Sequence, residues 1–181
     1  MLVISGPSGV GKSTIAKTLE AKGIPRVMTT TTRAPRGTET NGVEYRFLNR
    51  QEFQDEIKRG SFLEWAEING NLYGTPKERI EQELASRPLV LVDIDTQGAA
   101  SLRTMKVPAL TVFIEPPSME ELRKRLTGRN TEKPEQLRMR LERAEREMAQ
   151  RDSYDAVVVN STVEQAVDEI LKLARARKLL S

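Results

Sequence analysis

Residues Gly6-Pro7-Ser8-Gly9-Val10-Gly11-Lys12-Ser13 satisfy G-x-x-x-x-G-K-[ST] at every position, and in strand-to-helix context that string leaves a chain few folds to choose from. The context is present. Leu2–Ile4 is a short apolar run before the loop, and the stretch from Thr14 to Lys22 reads as helix. Glycines let the loop turn so that successive backbone N–H groups point inward at a phosphate, and the following helix adds its positive end. The expected ligand is a nucleoside triphosphate held by Gly6 through Ser13 and Thr14. Lys12 would reach its β- and γ-phosphates, and the Ser13 hydroxyl would hold Mg²⁺. A Gly-rich turn with an incidental lysine is the bland alternative, and the full match in context disfavours it.

Further apolar runs follow at Leu89–Ile94, Leu110–Ile114 and Ala156–Val159. Each is rich in Val, Ile or Leu without clean alternation, as strands covered on both faces read. Helical patterns lie between them, which predicts an α/β fold with a mainly parallel sheet. Capping-box spacing marks helix starts at Asn49/Glu52, Thr75/Glu78, Ser118/Glu121 and Ser161/Glu164, with Pro76 expected at a first helical position. Two segments interrupt the alternation. One, from Thr29 to Leu84, carries a polar stretch, a strand candidate at Tyr45–Phe47 and two helices. The other, from Thr127 to Arg151, is a charged helix with an apolar stripe of Leu137, Leu141, Ala144 and Met148. Both read as insertions on one domain, which suits a length of 181 residues.

The sequence contains neither cysteine nor histidine. Disulfides and thiolate metal sites are excluded, and so is the commonest general base. Chemistry must rest on carboxylates, Lys, Arg, Tyr, backbone amides or a bound metal. Asp93 ends the Leu89–Val92 run. Alone it is as much a solvated strand-end carboxylate as a ligand; beside a phosphate loop it favours a Mg²⁺ role, direct or through water. A net charge of +3 without a basic arm argues against nucleic acid as partner. The N-terminal apolar run is too short for a signal peptide, and no run is long enough to span a membrane. The expected location is cytoplasmic.

A phosphate acceptor needs no base, because its second pKa is about 6 and its oxygens are largely anionic at neutral pH. It needs cations. Thr31-Thr32-Arg33-Ala34-Pro35-Arg36 followed by Tyr45 supplies them, since each guanidinium can fork onto phosphate oxygens. On spacing alone, two exposed loop arginines remain the rival reading.

The chain resembles guanylate kinases, nucleoside monophosphate kinases of the phosphate-loop type. The likeness runs in order through Gly6–Thr14, Thr31–Arg36 with Glu39, Gly42, Tyr45 and Phe47, then Phe62–Glu67, Gly70 and Tyr73-Gly74-Thr75. It continues through Asp93–Gly98, Pro116-Pro117-Ser118, Leu126, Gly128-Arg129, Arg140-Leu141 and Tyr154-Asp155 to Asn160. The Thr-Thr-Arg-x-Pro-Arg, Glu-Trp-Ala and Tyr-Gly-Thr elements distinguish this family from other phosphate-loop proteins.

The resemblance implies a three-layer phosphate-loop nucleoside triphosphate hydrolase-type fold. Its core would span residues 1–28, 86–126 and 152–181, with a GMP-binding segment at 29–85 and a lid at 127–151. ATP and GMP would be the substrates. Arg33, Arg36, Tyr45 and Tyr73 would bind the GMP phosphate. Glu64 and Asp95 would face the guanine N1–H and N2–H₂ donors, Thr75 would donate to O6, and Thr29 would touch the base. Thr75 also reads as a helix cap. Of the lid candidates Arg125, Arg129, Arg140 and Arg143, the resemblance matches Arg129 and Arg140 to lid arginines; either could stabilise charge on the transferring phosphoryl or stack on adenine, Arg129 also counting on the ATP side, and both would join Lys12 and Arg33 as the catalytic set. Arg125 and Asn160 would lie on the ATP side, Asn160 near the adenine. Thr29 and Thr31 depart from the serine or alanine common in the family, and the strand before Thr29 looks shortened.

Three alternatives stay open. A scaffold module could turn the same arginines on phosphopeptides, but scaffold versions typically erode the ATP loop. A regulatory GTPase would carry an Asn-Lys-x-Asp string, which is absent. A kinase for another monophosphate is the nearest enzymatic rival. Oligomeric state is left undecided.

Overall fold

The computed structural model describes residues 1–127 and 134–180. Four apolar runs form a parallel sheet: β1 (Leu2–Ser5), β6 (Leu91–Asp93), β7 (Leu110–Glu115) and β8 (Ala156–Val159), in the order β6-β1-β7-β8. The chain at Pro25–Val27 lengthens the sheet beyond β6, where Val27 N–H donates to Leu91 O and Leu91 N–H donates to Pro25 O. This is where the shortened strand before Thr29 runs.

Side chains alternate across a strand, and both faces are covered here. Leu2, Ile4, Leu91, Val112 and Ile114 pack under α1 (Lys12–Ala21) and α7 (Val163–Ala176). Val3, Val92 and Phe113 pack on the other face with Ala99 and Leu102 of α4 (Thr96–Thr104) and Ile80 of α3 (Lys77–Ser86). That is why the strands read as unbroken apolar runs. The expected three layers are present.

A second sheet lies between α1 and α3 in sequence. Its order is β3-β2-β5-β4, from β2 (Thr30–Thr31), β3 (Arg46–Phe47), β4 (Phe62–Ile68) and β5 (Asn71–Pro76). Its small core stacks Phe62 on Phe53 of α2 (Arg50–Lys58) with ring centroids 4.5 Å apart, beside Leu72. The β4–β5 hairpin was not anticipated from the pattern, although Asn69-Gly70 at its tip is a strong turn signal. Asn69 (φ 50°) and Gly70 (φ 76°) are both left-handed, as a two-residue hairpin turn of matching twist requires. Alternation in β4 was obscured because its buried side carries Phe62, Glu64 and Ala66, so a carboxylate stands where an apolar residue is expected.

Helix starts follow the caps in part. Asn49 and Glu52 form the complete capping box of α2. Ser118 Oγ accepts from Glu121 N–H at 3.1 Å before α5 (Met119–Thr127). The cap of α7 is Thr162, one residue beyond the expected Ser161. Thr75 caps nothing: Pro76 holds the cap position of α3, and the Thr75 hydroxyl turns to Glu64. The charged segment forms α6 (Pro134–Met148), whose Leu137, Leu141 and Ala144 pack on Leu122 and Leu126 of α5. No helix among the described residues is long and apolar enough to cross a membrane.

Candidate active site

The phosphate loop joins β1 to α1. Gly11 has φ 102°, and a Cβ there would meet Asn160 Nδ2 at 2.5 Å, so both backbone conformation and space demand glycine. Lys12 lies over the loop, its Nζ donating to Gly6 O at 2.7 Å and Pro7 O at 3.1 Å. Ser13 and Thr14 are exposed on the first turn of α1. Asp93 closes β6 in register with Ile4, one strand from the loop. Burial raises its pKa, while Lys12 and Arg26 act against that. Ser13 and Asp93 offer hard oxygen donors beside the loop. No group of three or more acidic ligands occurs among the described residues.

Asn160 and Arg125 support the loop from behind. Asn160 is buried, and its Nδ2 donates to Val10 O at 2.7 Å. Arg125 Nη1 donates to the same carbonyl at 3.3 Å, and its Nη2 to Asn160 O at 3.1 Å. Both residues predicted on the ATP side therefore brace the loop backbone.

The arginine cluster forms around a carboxylate whose role was not anticipated. Arg33, only 8% exposed, pairs through Nη2 with Glu39 at 2.9 Å and donates through Nη1 to Ala34 O. Glu39 also accepts from Arg36 N–H at 2.8 Å, so one carboxylate sets both arginines. The Arg33 guanidinium sits 5.3 Å from the Tyr45 ring centroid, and the Tyr45 and Tyr73 rings meet edge to face at 6.4 Å. Burial raises the Tyr45 pKa, and the neighbouring Asp93 carboxylate at the end of β6 adds to this. Arg36 is exposed. Thr29 precedes β2 and accepts on its carbonyl from Arg46 N–H at 3.0 Å.

Glu64 and Asp95 face each other across the start of α4. Glu64 is buried and accepts from the Thr75 hydroxyl at 2.5 Å. Asp95 caps α4, its Oδ1 accepting from Gly98 N–H at 2.9 Å. A Cβ at Gly98 would meet Glu64 Oε2 at 2.6 Å, so the glycine makes room for the carboxylate. Burial pushes the Glu64 carboxyl up to about 7, and Asp95 adds to this while Thr75 opposes it. Burial raises Asp95 as well, against the Gly98 N–H, Arg143 and Lys12.

Helix α6 reaches both halves. Arg140 Nη2 donates to Ser8 Oγ at 3.0 Å, and Glu147 Oε2 accepts from Ser8 N–H at 3.4 Å. Arg143 turns toward Asp95. Arg129 lies outside the described residues. Lys12 acts electrostatically on Asp93, which faces Tyr45, and on Asp95, which faces Glu64, while Asn160 and Arg125 stand behind the loop.

The guanylate kinase family model matches residues 1–177. A guanylate kinase from Rubrobacter xylanophilus is 45% identical over 179 residues, covering 97% of this chain and 93% of the relative. One from Thermobifida fusca is 46% identical over 179 residues, covering 97% and 91%. The crystal structure of guanylate kinase from Anaplasma phagocytophilum superimposes with a TM-score of 0.79 at 34% identity, over all of this chain and 87% of that one. With a triphosphate loop, an arginine–tyrosine cluster and a carboxylate pair on one cleft, and with likeness along its whole length, the chain belongs to the guanylate kinase family.

Proposed function

We propose that the chain transfers the γ-phosphoryl group of ATP to GMP, giving ADP and GDP. The observation that carries this reading is that Lys12 of the phosphate loop acts on both Asp93, which neighbours Tyr45 of the arginine–tyrosine cluster, and Asp95, which neighbours Glu64. An oxygen of the GMP phosphate forms the new bond to the γ-phosphorus, and the bond from that phosphorus to the β–γ bridging oxygen breaks, leaving its electrons on ADP. The attacking oxygen is already anionic, so no general base is required. That fits a chain without histidine. The protein's work is positioning and charge compensation.

In this reading the loop from Gly6 to Thr14 holds the ATP phosphates and Lys12 spans the β- and γ-groups. Arg33, Arg36, Tyr45 and Tyr73 hold the acceptor phosphate, and Arg140, with Arg129, faces the transferring group. Glu64 accepts from guanine N1–H and N2–H₂ together with Asp95, Thr29 lies at the base, and the Thr75 hydroxyl, whose one proton goes to Glu64 in the structure, would have to turn it to O6 when the base binds. Adenine lacks the 2-amino group and has an acceptor at N1, so the carboxylates select against it. Ser13 and Asp93 would hold Mg²⁺, which when bound neutralises phosphate charge and aligns the triphosphate. Residues 29–85 act as the acceptor segment and 127–151 as a lid on the remaining core.

Release of ADP from ATP, measured with GMP, dGMP, AMP and no acceptor, tests the assignment. Turnover that depends on a guanine monophosphate is expected. ATP hydrolysis indifferent to GMP would sink it.

A further inference from the structure

We propose that Arg143 is a positioning residue for guanine recognition: clamped by Glu147, it holds Asp95 as an acceptor and ties helix α6 to the acceptor side of the cleft. This rests on the assignment of Glu64 and Asp95 to the base.

All three arms of Arg143 are directed. Nε donates to Glu147 Oε1 at 2.8 Å, Nη2 pairs with Asp95 Oδ2 at 3.6 Å, and Nη1 donates to Asn69 Oδ1 at 3.2 Å. Glu147 is 5% exposed, and it also takes the Ser8 N–H of the phosphate loop. The guanidinium is thus fixed by a buried carboxylate that touches the donor loop, while its other nitrogens reach the hairpin tip and the cap of α4. This planar fork satisfies several partners at once in a way a lysine does not.

Asp95 needs such a partner. Oδ1 is committed to Gly98 N–H, whereas Oδ2 is buried with no hydrogen bond among the described residues. Oδ2 is therefore the oxygen available to a base N–H donor. The charged or titratable groups facing Asp95 are Glu64 of β4, Lys12 of α1, Arg143 and Glu147 of α6, and Tyr154 ahead of β8. Glu64 and Glu147 repel its charge. Lys12 points into its own loop, which leaves Arg143, among the described residues, as the cation paired with Asp95 at ion-pair distance. Without it, Asp95 Oδ2 would lose the ion pair that holds it, and α6 its tie to the cap of α4.

The test is steady-state kinetics of the full chain for wild type, Arg143→Gln, Arg143→Lys and Glu147→Gln. Arg143→Gln is expected to raise KM for GMP about tenfold while KM for ATP stays within about twofold. Arg143→Lys keeps the cation and partly recovers KM for GMP. Glu147→Gln loosens the clamp and moves KM for GMP in the same direction by less. An unchanged KM for GMP in Arg143→Gln, or parallel rises in both KM values, would overturn the proposal. Absence of GMP turnover in the wild type would instead remove the underlying assignment of the base site.

Discussion

On the proposed function, the donor and acceptor halves of the site are built on opposite plans. The donor half is one continuous stretch, Gly6 to Thr14, whose functional groups are mostly backbone amides. Its tolerance for error is set by glycine geometry and by Asn160 pressing on Gly11. The acceptor half draws Arg33, Tyr45, Glu64, Thr75 and Asp95 from separate elements, and each is held by another side chain or by a helix start. Backbone recognition is preorganised by the fold at little side-chain entropy. Side-chain recognition carries specificity, and it stores charge in a buried place at the expense of stability.

If that contrast is right, substitutions on the donor side damage catalysis with little loss of fold, whereas those on the acceptor side shift specificity and stability together. The largest effect is expected for Lys12→Ala, which removes the cation from the transferring phosphates. Single-turnover measurements should show kcat lower by roughly 10²–10³-fold, with the melting temperature nearly unchanged. Retention of wild-type kcat would break the donor assignment.

Next comes Glu64→Gln. Loss of a charged acceptor for guanine should reduce kcat/KM for GMP by roughly 10–100-fold, the equivalent of about 1.5–3 kcal/mol, and leave ATP affinity intact. The same change should stabilise the fold at alkaline pH. Between the ordinary glutamate pKa and about 7, the folded protein keeps a proton that the unfolded chain has released. Stability from this group is therefore complete at acid pH and lost as pH rises through about 7. Above that window the buried charge costs roughly 3 kcal/mol. Glutamine can still accept from Thr75, so the melting temperature at alkaline pH should rise by roughly 4–8 °C. Lower stability at alkaline pH would contradict the account of the buried charge.

The titration itself is a smaller and more graded effect. Protonated Glu64 loses its charge and is a weaker acceptor for guanine N1–H, so kcat/KM for GMP should fall as pH drops below about 7, towards the level of Glu64→Gln. The ATP dependence should be flatter over the same interval. Smallest of all is Asn49→Ala, which removes the α2 capping box far from the chemistry. Denaturant unfolding should show a loss of about 1 kcal/mol, and turnover at saturating substrate should not change.

Legibility in the sequence followed the same division. The loop, the four core strands and the α2 cap could be read from contiguous residues, because each is encoded within one turn or one strand. Ser161 failed as a cap because Thr162 offers an equivalent hydroxyl one residue later. The β4–β5 hairpin was hidden because Glu64 interrupts the apolar face that would have marked it. Thr75 combined two plausible signals, and only the packing of β4 against β5 sent its hydroxyl to Glu64. Glu39 was visible as part of a motif, but its hold on Arg33 depends on how the loop between β2 and β3 folds back.

By itself the sequence determined that a triphosphate loop lies between a buried strand and a helix, since glycine placement and backbone hydrogen bonding act over a few residues. Only the tertiary structure decided that Glu64 lies against Asp95, that Gly98 leaves the room for it, and that Arg143 reaches both Asp95 and Asn69. Those contacts join residues far apart in the chain. Their energies arise from burial and charge, which depend on what packs nearby rather than on what comes next in sequence.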